Sequence, residues 1–228
     1  CSDIQSQGNV ELFYSYVDPL LIGISLDPDG DASTPLTLTY SIITPDSVFA
    51  PGYRAAEYTS NILAPTDAFI AAVEKVFSMV TQFTGVTFVK ITETATQCGD
   101  IRIGLHDYDD GNGGVSYVAY ADQNSNYQDS GDSDIWINVD GSEAATSDDW
   151  SPGSYAFGTL IHEIGHSLGL DHPHELTPNQ SGYTTPVGNI ITDNLWYSIM
   201  SYRDFPGDNW GDEPDSSWAR DVNGNHMQ

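Results

Sequence analysis

The chain has 228 residues, 39% apolar and 11% aromatic, enough to fill one sizeable core or two small subdomains around a cleft. Its 33 Asp and Glu against 6 Lys and Arg give a net charge of −27, a surface that repels nucleic acid and anionic membranes and argues against both as partners. No stretch approaches the roughly 18 unbroken apolar residues of a membrane span; the apolar run at 20–26 is short and interrupted by Gly23 and Ser25.

Residues 1–35, rich in Asp, Pro and Gly, read as an N-terminal extension wrapping the domain. Leu36, Leu38, Tyr40 and Ile42 alternate with polar partners, the pattern of a half-buried strand. Thr66 then caps a helix whose apolar face is Phe69, Val73, Val76, Phe77 and Val80, and Gly85 ends it. Segments 86–91, 101–105, 115–120 and 135–138 read as strands, the second of them buried. A second helix follows Ser154, with Phe157, Leu160, Ile161, Ile164 and Leu168 as its stripe and Gly169 as its stop. Beyond residue 173 loop residues dominate. Strand, helix, several strands and a second helix predict an α+β domain, with an upper part at 36–172 and an irregular lower part at 173–228.

The second helix carries the chemistry. Residues 162–172 read HEIGHSLGLDH. His162 and His166, four apart, project from one helix face and are able to meet one ion. Gly169 allows a sharp turn that returns His172 as a third ligand. Three neutral nitrogens leave a zinc ion one open position for water, the arrangement of a catalytic site. Glu163, next to the first ligand, points past the metal and reaches that water. Zinc brings the pKa of such a water toward about 7, and Glu163 accepts its proton as general base. Five fixed positions arise by chance in on the order of 10⁻⁵ of chains this long, so ordinary surface or core histidines explain the pattern poorly. No G-x-S-x-G occurs, and Cys98 has no catalytic context.

The pattern His162-Glu163-x-x-His166-x-x-Gly169-x-x-His172 resembles that of the metzincins, and Ser198-Ile199-Met200-Ser201-Tyr202 resembles their methionine turn. Pro173 after the third ligand is similar to the serralysin subfamily. The resemblance implies a twisted, mostly parallel sheet with two long helices above an irregular C-terminal subdomain. It implies zinc-dependent cleavage of internal bonds in extended polypeptides. It also makes Met200 a structural support, and Tyr202 a fifth ligand that swings away to hydrogen-bond the tetrahedral intermediate. Segment 115–120 resembles the substrate-binding edge strand, where a peptide would pair near Tyr117 and Ala119; plain strand packing accounts for Tyr117 and Tyr120 as well. The glycine-rich calcium-binding repeats that usually follow in serralysins do not occur in this sequence.

Other signals stay open. A Cys1–Cys98 disulfide would pin the N-terminus and suits an exported protein. Cys1 followed by Ser2 is also how a lipid-anchored bacterial protein begins, and a free Cys1 thiolate would be able to cap the zinc in a latent form. The sequence shows neither an initiating Met nor a signal-peptide pattern and is expected to act outside the cell. Asp27, Asp29 and Asp31, then Asp107, Asp109, Asp110 and Asn112, then Asp221, Asn223 and Asn225, cluster oxygens that suit structural Ca2+ without completing an EF-hand; solvated turns are the simpler account of each. His174 is expected at the rim of the site, and His106 and His226 at the surface. A zinc-bearing adhesion module without turnover is the reading of a different class.

Overall fold

The computed structural model of the protein describes residues 35–49, 53, 61–107, 119–121, 134–139, 149–173 and 193–202, the three residues 119–121 by their backbone alone. In chain order the elements are β1 (Thr37–Ile42), β2 (Ile62–Leu63), α1 (Asp67–Thr84), β3 (Thr87–Lys90), β4 (Ile101–His106), β5 (Ala119–Ala121), β6 (Ile135–Asn138) and α2 (Tyr155–Ser167). The sheet runs β3-β1-β4-β6-β5. β3, β1, β4 and β6 are parallel, while β5 lies antiparallel on β6 as the last strand. β1 pairs with the first half of β4, and β2 pairs antiparallel with its end. The two-residue β2 is too short to leave a periodic signal in the sequence.

The helices begin and end where the sequence places them. Thr66 accepts a hydrogen bond from the Phe69 amide at 3.2 Å, and Gly85, at φ 75°, donates to the Thr81 carbonyl. Ser154 caps α2 the same way, accepting from the Phe157 amide at 3.1 Å. Phe69, Val73, Val76 and Phe77 of α1 and Phe157, Leu160 and Ile164 of α2 meet Leu38, Tyr40, Ile101, Ile103, Leu105, Ile135 and Ile137 in one core. Every one of those strand residues alternates with a partner on the opposite face, because side chains along a strand point alternately up and down.

That opposite face is also buried, which the alternating pattern of the first strand did not predict. Ser41, Ile43, Arg102, His106, Trp136 and Asn138 are all sealed from solvent. Gly104 lies between them because a Cβ there would come within 2.9 Å of Ile43 and 3.0 Å of Trp136. His106, expected at the surface, is fully buried against Trp136 at the end of β4, and burial pushes its pKa down to about 4.

Polar side chains on this face are joined in one network. Arg102 forms a two-pronged ion pair with Glu93, at 2.8 and 2.9 Å. Its guanidinium lies 4.4 Å from the ring centre of Phe49 and 3.8 Å from Asp134. Ser41 and Ser47 donate to Glu93 at 2.8 and 2.5 Å. Tyr53 donates to Asp134 at 2.6 Å and accepts from the Trp136 indole at 3.0 Å. Removing the single cation would strand two buried carboxyl groups, so Arg102→Met is expected to cost about 3–5 kcal/mol in urea unfolding.

Burial pushes Asp134 up to about 6 from 3.8, overriding its Tyr53 hydrogen bond and the Arg102 charge. The folded chain therefore holds more protons than the unfolded one between about pH 4 and 6, and acidification through that window stabilises it through this group. In Asp134→Asn that contribution is gone, so unfolding free energy measured across the window should fall more steeply with acidification than in the wild type.

Candidate metal centre

Residues 162–173 form the site by purely local means. α2 presents His162 and His166 one turn apart. It closes in a double hydrogen bond characteristic of a glycine-terminated helix, with Leu170 N to Gly165 O at 3.0 Å and Gly169 N to His166 O at 2.9 Å. Gly169 takes φ 92°, a conformation that favours glycine. The reversed chain brings His172 back, its own amide held by the Asp171 carboxylate at 2.8 Å.

The three Nε2 atoms meet as a triangle with edges of 3.0 Å. His162 Nδ1 lies 2.8 Å from the Ile199 carbonyl, and His166 Nδ1 lies 2.8 Å from the Leu170 carbonyl. A carbonyl only accepts, so each Nδ1 carries the proton and the corresponding Nε2 presents a bare lone pair. Burial, and then the neighbouring His172 ring, push His166 down to about 4, so it is neutral at pH 7. Lone pairs aimed at one another at 3.0 Å repel unless a cation lies between them. Points spaced this way share a common point about 2.0–2.1 Å from each, the bond length of zinc to imidazole. The residues therefore fit a zinc ion.

The methionine turn lies against this group. Met200 is buried, and its Sδ is so close to α2 that a Cβ on Gly165 would approach it to 2.7 Å. Asn194 Oδ1 accepts from the Trp196 amide at 3.0 Å, the Asn194 carbonyl accepts from the amides of Tyr197 and Ser198, and Asp193 accepts from the Ser201 hydroxyl at 2.6 Å. These bonds fix the Ile199 carbonyl that orients His162. The Tyr202 ring centre is 4.4 Å from that of His172 and 5.7 Å from that of His162. Glu163 is buried beside His162.

The profile of the matrixin family matches residues 50–178, more than half of the chain. The chain belongs to the matrixin family. This matrixin is similar to serralysin C of Dickeya chrysanthemi, 34% identical over 110 residues (47% of this chain, 19% of the relative). It is similar to metallopeptidase AprA of Pseudomonas marginalis, 30% identical over 181 residues (76% of this chain, 34% of the relative). It is also similar to the serralysin of Proteus mirabilis, 40% identical over 52 residues (23% of this chain, 11% of the relative). The matched stretches thus span between 11% and 34% of these relatives. Two of the three carry the name serralysin, in agreement with the resemblance noted at Pro173.

Of the residues singled out in the sequence, the matrixin fold brings together His162, Glu163, His166, His172, Met200 and Tyr202. Ala119 lies in β5 at the sheet edge, opposite Ile137. Tyr117, Cys1, His174, His226, and every acidic-cluster residue except Asp107 lie outside the described residues. Cys98 is exposed and carries no disulfide among the described residues. Among the described residues no helix is long and apolar enough to cross a membrane.

Three contributors escaped the sequence reading: the Ile199 and Leu170 carbonyls, and Gly165. The first two are backbone atoms and carry no residue signature. Gly165 had one, since a glycine inside an amphipathic helix weakens it and needs a packing reason. Gly165→Ala should lower stability by about 1–3 kcal/mol through the clash with Met200. In a Met200→Ala background the same change should stabilise, by about 1 kcal/mol of helix propensity. A thermal double-mutant cycle reads the reversal.

Proposed function

We propose that the chain is a zinc-dependent endopeptidase that hydrolyses internal bonds of extended polypeptides outside the cell. The observation that carries this reading is the triangle of Nε2 atoms with Glu163 buried alongside. His162, His166 and His172 would hold the ion. The chemistry a bound zinc supplies is Lewis acidity, which polarises a scissile carbonyl and acidifies water. Glu163 takes the proton of the attacking water as general base and delivers it to the leaving amine. Tyr202, whose ring lies beside that of His172, donates its hydroxyl proton to the oxygen on which negative charge develops. Met200, packed against Gly165, keeps the turn under the ligands.

β5 is the terminal strand of the sheet and lies beside α2. A substrate adding as a further strand beside β5, near Tyr117 and Ala119, would pass the histidine triangle in extended form, its backbone paired and its carbonyls in order. The acidic surface suits a salty or calcium-containing exterior, and the acidic loops suit structural Ca2+.

Casein cleavage by the purified chain, with metal analysis, tests the reading. Cleavage should require one zinc per chain, stop on chelation and return with Zn2+. Glu163→Ala should retain the zinc and lose about 10²–10⁴-fold in kcat/KM. Zinc bound without any cleavage would sink the proposal in favour of a zinc-bearing binding module. Separately, Tyr202→Phe should lower kcat by roughly 10²–10³-fold with KM little changed; an equal rise in KM would show a binding role instead.

A further inference from the structure

The end of the sheet opposite β5 carries a cavity that this mechanism does not use. α1 packs against β3 there, and a space of about 250 Å³ opens between them. Tyr40 of β1 and Phe77 of α1, both buried, and the half-buried Phe88 of β3 form its floor, with ring centres 4.2 Å apart for Tyr40 and Phe77 and 4.6 Å apart for Phe77 and Phe88. Its rim is polar: Glu74 and Thr81 stand two turns apart on one flank of α1, and Thr87 opens β3.

Tyr40 gives the floor a reachable polar atom. The residue is 5% exposed, yet its hydroxyl bonds no group among the described residues. Unlike a sealed group it keeps contact with solvent, and the space it lines is this cavity. Burial, and then the Glu74 charge, hold its phenol proton above the ordinary range, so hydroxyl and carboxylate face the same space. Glu74 already takes one ammonium: Lys90, paired in register with Tyr40 and so on the same face of the sheet, donates to its Oε1 at 2.7 Å. The other carboxylate oxygen accepts no bond among the described residues.

We propose that this cavity binds a small organic ammonium ion, whose N–H groups donate to Glu74 and to the Tyr40 oxygen while its apolar body lies on Phe77 and Phe88. Glu74 is the one charged residue of the lining, and the chain's net charge of −27 adds a field of the same sign, so a cation is drawn in and an anion repelled. An ammonium beside a carboxylate makes charge-assisted hydrogen bonds, and aromatic rings favour a cation near their faces. Drug-sized ligands need roughly 300–1,000 Å³, so this smaller space suits a simple amine or the end of a lysine side chain. The inference does not rest on the endopeptidase reading, since the metal ligands lie on and just after α2, which packs against β5 and β6 at the other end of the sheet.

The test is a titration of the full zinc-loaded chain followed by amide chemical shifts. Phenethylamine, a cation at neutral pH, should saturate shifts around Phe77 and Phe88 with a Kd of about 1–10 mM. Phenethyl alcohol, its neutral isostere, should bind at least about 10-fold more weakly. Glu74→Gln should weaken the amine about 10-fold, and Tyr40→Phe, which keeps the ring in place, about 3-fold or more. Lys90→Gln removes the internal competitor and should tighten binding. Asp46→Asn, at an exposed acid outside the cavity, should change nothing. Tighter binding of acetyl-lysine methylamide than of phenethylamine would name a polypeptide lysine as the natural ligand, and the reverse a free amine. Equal binding of amine and alcohol would overturn the proposal. So would equal losses in Glu74→Gln and Asp46→Asn, which would show an amine held by the acidic surface at large, or an unchanged Kd in Tyr40→Phe.

Discussion

Imidazole lone pairs directed at one point repel each other, and the site depends on the chain holding the three rings there. Two backbone carbonyls, Ile199 for His162 and Leu170 for His166, fix the tautomers by taking the Nδ1 protons. Each carbonyl is itself set by local structure. Leu170 is placed by the hydrogen bonds that terminate α2, so the turn that delivers His172 also orients His166. Ile199 is placed by the turn that Asn194 and Asp193 tie down. The ligand geometry is thus written into a dozen residues of helix end and one remote turn. Burial of His166 then keeps its ring neutral, ready to act as a ligand at ordinary pH.

The sheet contributes in another way. Strands buried on both faces cannot follow a simple inside–outside alternation. Here one face is apolar against α1 and α2, and the other carries Arg102, Glu93, Asp134 and Tyr53 in a network whose carboxylates and cation meet inside the protein. Such a cluster adds little net stability compared with apolar packing, but it punishes the loss of any single member. It ties the segments around Ser47 and Tyr53 to β4 and to the start of β6. β6 in turn carries β5, which lies beside α2, so the terminal strand of the sheet is tied through β6 to these polar groups.

Much of this was legible in the residue pattern, for physical reasons. Helix ends were plain because capping by Thr66 and Ser154 and termination by Gly85 and Gly169 are local chemistry. The ligand set was plain because a metal demands a spacing that few chains satisfy by accident. His106 was misread as a surface group because a histidine at a strand end carries no sign of what covers it; only the packing of Trp136 and the neighbouring strands decides that. The second buried face of β1 was hidden for the same reason: Ser41 looks like a solvent-facing residue until Glu93, far along the chain, is brought against it. The carbonyl partners of the histidines were invisible in principle, since every residue has a carbonyl.

The composition of α2 shows how site and stability pull against each other. Thirteen residues contain two glycines, and neither has the positive φ that favours glycine. Each weakens the helix by about 1 kcal/mol relative to alanine. Gly165 is where Met200 presses against the helix, and Gly158 is where space is left open before His162. A helix selected for its own propensity alone, with no Met200 against it, would carry alanine at both positions and would bond the Thr159 hydroxyl to its own backbone. This one forgoes those gains at three positions flanking the ligands, while its far side, Phe157, Leu160 and Ile164, is packed without reservation. The departures from good helix design are confined to the face that carries His162 and His166 and meets Met200, which is where local rules are expected to yield.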